Sequence, residues 1–234
     1  MTIGIHLTAW RRPTITAIAF TSLQRICAEL KEHEIDTFVV CGVSDKKSKG
    51  LAKKFGFIPF EYPNEPLGRK FDYTMREVLK YDCDYVMEYC SDNVMESRFV
   101  PLLVDVIKKG IPFWAMNSFY LMDWKTKEVR IFENSGFSNV GRLTRRYLLE
   151  KLYKKTGFAF EHNWGRRLDK CYNDLMWKHC KIQPSFTELK TPIILDLKSE
   201  YSLNGFQKFK EKSERFPAVP LRGKFPEIIL DKTD

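Results

Sequence analysis

Apolar and polar positions along the first half of the chain follow two periods in turn. Residues 2–9 (TIGIHLTA) place Ile3, Ile5 and Leu7 at every second position, which predicts a strand. From 14 to 33 the apolar residues Ile15, Ile18, Ala19, Leu23, Ile26, Cys27 and Leu30 recur at steps of three and four, one helical face, with Thr14 the expected N-cap. The β-branched run at 36–43 (DTFVVCGV) predicts a buried strand ended by Ser44-Asp45. A short basic helix is expected at 46–55 with Gly56 just past its end, then a strand at 57–62 and a turn at 63–66. Residues 67–81 carry Phe71, Met75, Val78 and Leu79 at helical spacing, and 84–89 (DYVMEY) is an apolar strand leading into Cys90-Ser91-Asp92-Asn93. An amphipathic helix at 99–109 is closed by Gly110. Strand alternating with helix over this length predicts an α/β fold with a mostly parallel sheet and helices on both faces.

Beyond residue 110 the rhythm changes. Residues 113–123 and 128–132 read as two strands about a turn at 124–127, a hairpin-like insertion. Basic helices are expected at 142–155 and 168–179, and a last strand at 192–197. From about 204 the chain is charged and punctuated by proline, which predicts a loosely packed tail. The expected organisation is one domain over 1–204, with halves at about 1–110 and 111–204, followed by a charged tail at 205–234.

Composition narrows the class. The chain has 234 residues, 44% of them hydrophobic and 14% aromatic, enough to build one sizeable core and too apolar for disorder. No apolar run approaches the roughly 20 residues of a membrane span, and no basic leader precedes an apolar stretch, so a cytoplasmic protein is expected. Cysteines 27, 41, 83, 90, 171 and 180 form no CxxC pair and read as reduced core thiols. The formal net charge of +9 favours a polyanionic partner: nucleic acid, an anionic membrane surface or a nucleotide diphosphate.

Four segments carry candidate chemistry. Ser91-Asp92-Asn93 follows an apolar strand, and ligands of open parallel sheets bind beyond the carboxyl ends of strands. A carboxylate there can hold a divalent ion against phosphate oxygens; the same tripeptide also suits an Asx turn or helix cap. Leu67-Gly68-Arg69-Lys70 opens a helix, where free N–H groups and partial positive charge attract phosphate, though a basic first turn facing water has the same pattern. Trp10-Arg11-Arg12-Pro13 ends the first strand and reads either as a flank for a base or phosphate or as a surface turn. Arg166-Arg167-Leu168-Asp169 opens a late helix; Asp169 is either a general base or a satisfied ion pair. His6 reads as a packed core residue, and His162, near Trp164 and Asp169, is the one histidine kept as a ligand candidate. GxSxG, HExxH and GxGxxG are absent.

Taken in order, HLTAWRRP, VSD after the second strand, LGRK before the third helix, DYVMEYCSDN, GRLTRRYLLEK and RRLDKCYNDLM resemble the GT-A nucleotide-sugar glycosyltransferases, in particular short bacterial and bacteriophage members. The resemblance covers roughly 2–200. It implies a GT-A-like, mostly parallel twisted sheet with a C-terminal acceptor-side insertion. It also implies that Thr8 and Trp10 line the base and that Asp45 meets the base or ribose. Arg69 and Lys70 would lie near the nucleotide or diphosphate, with Ser91, Asp92 and Asn93 at the diphosphate. Asp92 and Asn93 would hold Mn²⁺ or Mg²⁺, the Asn standing where the family's motif has Asp. Asp169 would be the base, although the family's usual Glu-Asp pair is Leu168-Asp169 here. The donor implied is a nucleotide sugar, expected to be a UDP-sugar.

For the acceptor, Arg142, Arg145, Arg146, Lys151, Lys154, Lys155, Arg166, Arg167 and Lys170 crowd the second half, interleaved with Phe158, Phe160, Trp164 and Tyr172. Basic residues among aromatics suit phosphates and stacked bases. Some phage enzymes of the type this chain resembles glycosylate modified bases in their own DNA, so the resemblance implies a hydroxymethylated base in phage DNA as the expected acceptor. A cell-surface glycan and a non-catalytic nucleic-acid-binding protein are the alternatives.

Overall fold

The computed structural model describes residues 1–133, 140–164, 167–200, 202, 206–207, 213–216, 221 and 223–228. At its centre lies β1 (Thr2–Ala9), paired in parallel with β2 (Asp36–Val43) on one side and β4 (Tyr85–Cys90) on the other. The period-2 residues Ile3, Ile5 and Leu7 share one face and are fully buried. His6, on the opposite face, is buried too. Its Nε2 donates to the Phe71 carbonyl at 3.0 Å, its ring lies against Phe71 and Phe160, and burial pushes it down to about 3, so it is neutral.

β3 (Ile58–Glu61) extends the parallel set beyond β2. On the other side β9 (Leu143–Arg145) runs antiparallel to both β4 and β6 (Phe113–Ala115), and β10 (Ser185–Phe186) follows. The main sheet thus has the order β10-β6-β9-β4-β1-β2-β3. A smaller sheet has the order β12-β8-β7-β11-β5, built from β5 (Asn93–Met95), β7 (Ser118–Asp123), β8 (Val129–Glu133), β11 (Ile194–Lys198) and β12 (Glu214–Phe216).

Helices cover both faces of the main sheet. On one lie α1 (Pro13–Glu32), α2 (Lys46–Lys54) and α4 (Phe99–Lys108), burying Phe20, Leu23, Ile26, Ala52 and Leu103 against Ile5, Leu7 and Met87. On the other lie α3 (Leu67–Leu79), α5 (Arg146–Thr156) and α6 (Leu168–Leu175), which continues through a wider π-type turn at Met176–Cys180. Each fully buried large apolar side chain in these layers contributes about 1.5–3 kcal/mol relative to exposure.

The structure departs from the expected boundaries in instructive places. Pro13 takes the first helical position of α1 and Arg12 the cap, so Thr14 lies inside the helix; proline suits that position because its missing N–H has no partner there anyway. The stretch 113–123 is two strands in two different sheets. The expected helix at 142–155 starts only at Arg146, its first residues being β9. Gly56 and Gly110 do close their helices, at φ of 73° and 66°. The described part of the C-terminal stretch packs instead of trailing. Leu221, Phe225 and Ile228 are buried against Val94, Tyr120 and Leu195 of the small sheet, and the Arg25 guanidinium bonds Glu227 at 2.8 Å. All six cysteines are free thiols.

Candidate functional site

The carboxyl ends of β1, β2 and β4 lie side by side, because Ala9 pairs with Val43 and Thr8 with Cys90. Two groups of polar side chains gather there, and Arg12 joins them.

The first group surrounds the ends of β1 and β2. Half-buried Thr8 sits between Gly42 and Cys90. Half-buried Trp10 has the Arg11 guanidinium 4.3 Å over its ring. Asp45 caps α2: its carboxylate accepts from Ser48 N and Ser48 Oγ, both at 2.8 Å, and from Arg11 N at 3.2 Å. Burial alone would raise this carboxyl; the donated bonds more than offset it and hold it below the usual range. Lys70 is buried, and its ammonium donates to Ala9 O at 2.9 Å and Asn64 Oδ1 at 3.1 Å. Burial brings Lys70 down to about 8, with the Arg12 charge adding to that and Cys41 and Asp45 opposing it. Arg69 is exposed and makes no side-chain polar contact among the described residues, so the structure does not bring it into the group.

Gly68 departs from its expected use. Its N–H donates to Trp164 O at 2.8 Å, and a Cβ there would lie 2.0 Å from Glu161 O. The close approach that glycine permits is therefore to the 161–164 turn, and that helix-terminal N–H already has a protein partner. Asp72, one turn along α3, ties down the same segment. Its buried carboxylate accepts from Tyr153 Oη at 3.0 Å, Ala159 N at 2.7 Å and Arg76 Nε at 2.9 Å, and lies 3.1 Å from His162 Nε2. His162 is thus a partner of Asp72.

The second group lies past β4. Arg12 Nη1 donates to Asp92 Oδ2 at 2.6 Å and to Ser202 Oγ at 3.1 Å, and Nη2 to Ser91 Oγ at 3.3 Å. Burial would raise the Asp92 carboxyl, but the charges of Arg12 and Lys198 outweigh it and lower it. Lys198 and Asp196, two residues apart on β11, share a face and pair at 2.6 Å. Burial and the nearby Asp92 charge push Asp196 up to about 6, with Lys198 and Arg12 opposing. Asn93 lies opposite Asp196 across β5 and β11. It is fully buried, and both its amide atoms lack a hydrogen-bond partner among the described residues.

Asp169 lies in the first turn of α6, where the charges of Arg142 and Lys198 act on it. Burial raises its carboxyl, with Arg142 and Lys198 partly offsetting that. Arg142 is fully buried and forks onto Glu88 at 2.7 and 2.8 Å. It also donates to Asn173 Oδ1 at 3.2 Å and lies 4.1 Å over the Tyr172 ring. Arg142, Tyr172 and Phe160, expected on an acceptor-facing surface, are interior residues: one is half of a buried ion pair and the other two pack in the core. Arg145 lies over the Tyr85 ring, and Arg146 is bonded to Glu150. Arg166 lies outside the described residues.

As the side chains stand, Asp92 and Asn93 do not make a divalent-cation site. The Asp92 carboxylate already carries a guanidinium, Lys198 is a second cation beside it, and the Asn93 amide is sealed from solvent. No three His, Cys, Asp or Glu side chains converge on a metal position among the described residues. The positive charge at this sheet edge comes from Arg12, Lys198 and Lys70.

Sequence reasoning left out Asp196, Lys198 and Glu88. Each is an ionisable residue inside an otherwise apolar strand, IILDLK or DYVMEY, and that conflict is the signal that could have found them.

No protein-family model matches the chain, and no curated protein does. Solved structures of S. aureus TarS, a GT-A-type glycosyltransferase, do. One TarS structure aligns with a TM-score of 0.58 at 9% identity, over 85% of this chain and 37% of that one. TarS 1–349 aligns at 0.56 and 8% identity, over 84% and 60%. Its complex with UDP aligns at 0.53 and 11% identity, over 85% and 61%. This chain therefore spans less than two thirds of the length of each. Likeness at such low identity speaks for architecture, and in architecture the chain has the GT-A-type fold.

Proposed function

We propose that the chain is a glycosyltransferase that moves a sugar from a UDP-sugar to an acceptor hydroxyl. The observation that carries this reading is the arrangement at the sheet edge. Two ion pairs, Arg12 with Asp92 and Lys198 with Asp196, stand together there, and the half-buried carboxylate of Asp169 is within electrostatic reach of Lys198. The UDP complex of TarS supports the choice of donor.

In this reading Thr8, Trp10 and Asp45 flank the base and ribose. Arg12 lies along the diphosphate, backed by the buried Lys70 and Ser91. Asp169 takes the proton of the acceptor hydroxyl; its raised pKa makes it a stronger base than an ordinary aspartate. The acceptor oxygen then forms its bond to the anomeric carbon as the bond from that carbon to the diphosphate oxygen breaks, and UDP leaves with the electron pair. Arg12 and Lys198 neutralise the charge that develops on the leaving group. No step is routed through Mn²⁺ or Mg²⁺, because the side chains at Asp92 and Asn93 do not fit one.

The basic balance supports a polyanionic acceptor. In DNA the backbone hydroxyls are esterified within the strand, so the accepting hydroxyl would sit on a base, as in 5-hydroxymethylated pyrimidines. The test follows UDP release from UDP-sugars, in EDTA and in Mn²⁺, with DNA carrying such bases, with a glycan acceptor and with none. Release that Asp169→Asn lowers about 10²–10⁴-fold while UDP binding persists is the expected result. Absence of UDP binding in every condition would sink the reading.

A further inference from the structure

Of the basic and aromatic residues that the sequence crowds into the second half, the fold buries or pairs some and leaves others on one surface. On α5 the exposed residues Tyr147, Lys151, Lys154 and Lys155 are spaced four, seven and eight apart, a single helical face. Leu148, Leu149 and Leu152 occupy the opposite, buried face. The π-type turn after α6 packs beside α5 and adds exposed Trp177, Lys178 and Lys181. The two segments are fixed to each other. The Lys155 ammonium donates to His179 O at 2.8 Å, and the charges of Lys151 and Lys155 both bear on the buried Cys180 thiol.

Two features separate this surface from an ordinary solvated face. Its aromatics are large and strongly exposed, Tyr147 at 55% and Trp177 at 53%. Its lysines are also uncompensated: none of the five is in an ion pair among the described residues. The neighbouring acids are already engaged, Glu150 by Arg146 at 2.7 Å and Asp174 by Lys170. Trp177 follows Asp169 by eight residues along one helical segment, about 12 Å of rise.

We propose that this face of α5 and the π-type turn is a docking surface for single-stranded nucleic acid, the lysines tracking phosphates and Tyr147 and Trp177 stacking on unpaired bases. Cations spaced along a helix with exposed aromatics between them match a strand that alternates charged phosphates with flat apolar rings. As the identity of the acceptor, the proposal rests on the transferase reading; as a binding surface, it stands apart from it.

The test is fluorescence anisotropy with a labelled single-stranded oligonucleotide, alongside UDP binding on the same preparations. Five phosphate contacts give a salt slope of about −3.5, so affinity falls about 100-fold between roughly 50 and 200 mM salt. Lys151→Gln/Lys154→Gln/Lys178→Gln leaves two contacts and a loss of only about sevenfold over the same range. Trp177→Ala weakens binding at least about fivefold at fixed salt. All these side chains are exposed, and thermal unfolding checks that each variant stays folded. The proposal is overturned if the triple variant binds like the parent or if wild-type binding ignores salt. It is equally overturned if duplex DNA binds more tightly with Tyr147 and Trp177 dispensable, or if phosphatidylserine vesicles bind and the oligonucleotide does not. Oligonucleotide binding as expected without any UDP binding removes the transferase reading and leaves the docking surface; UDP binding without oligonucleotide binding does the reverse.

Discussion

Replacing Arg142 with Met should destabilise the protein by about 3–5 kcal/mol, because it leaves Glu88 as an unpaired charge in the interior. The pair is out of solvent on both sides, with side-chain exposures of 0% for Arg142 and 3% for Glu88. The guanidinium supplies both bonds to the carboxylate, at 2.7 and 2.8 Å, and one to Asn173 on α6. Met fills much of the same volume over Tyr172, so the loss is chiefly electrostatic. Urea unfolding measures it directly, and for a chain of this size the melting temperature should drop by roughly 6–20 °C. The sign of the pH effect provides a second check. Burial already raises Glu88 above its ordinary pKa, and Arg142 and its hydrogen bonds hold that rise in check. Without Arg142 the folded-state pKa rises further, so the folded variant takes up a proton more readily than the unfolded chain. Its deficit should therefore shrink as pH falls and grow as pH rises through the folded pKa. Glu88→Leu/Arg142→Met should recover most of the stability, since two apolar side chains replace the pair with no charge left behind. A loss below about 1 kcal/mol for Arg142→Met, or a deficit that does not change with pH, would refute the reasoning.

Three further outcomes are expected. His6 titrates at about 3 when folded against an ordinary 6.5, so the unfolded state binds its proton first; up to about 5 kcal/mol of stability is lost as pH falls through that window, and His6→Gln should remove that dependence in acid unfolding curves. Gly68→Ala places a methyl group 2.0 Å from Glu161 O and should cost about 1–3 kcal/mol in urea unfolding, with faster proteolysis within 161–164. Asp169→Asn should lower transfer about 10²–10⁴-fold with UDP affinity unchanged, and the wild-type rate should fall with acid through the raised Asp169 pKa, since the base acts only when deprotonated.

The parallel half of the fold is legible from residue pattern because each of its elements is long enough to show a period. β1 and β2 fall at 2–9 and 36–43, as expected, and α1 and α3 lie within a few residues of their expected ends. The second half resists the same reading. β5, β6 and β9 have three residues each, shorter than one alternation can establish, and β9 pairs with β4 beside Arg142, whose partner Glu88 lies 54 residues earlier. Such pairing is set by tertiary contact and leaves no local trace. The C-terminal stretch did carry a trace: Leu221, Phe225 and Ile228 are spaced four and three apart, but the surrounding charge and proline obscure it. Ser91, Asp92 and Asn93 stand out in the sequence by their position after an apolar strand. Asp196 and Lys198 required knowing that β11 lies against β5.

The hydrogen bond from Arg12 to Ser202 joins positions 190 residues apart, and Asp92 and Lys198 meet at the same place. A chain emerging from the ribosome can lay down β1, β2 and β4 early, yet the sheet edge stays incomplete until β11 and the segment after it are released. Arg12 and Asp92 then gain their remaining charged and hydroxyl neighbours at once. Loss of β11 and Ser202 would therefore leave most of the main sheet intact while stripping Arg12 and Asp92 of Lys198 and the Ser202 hydroxyl, so a fragment ending before β11 should fold in part and, on the proposed reading, bind no donor.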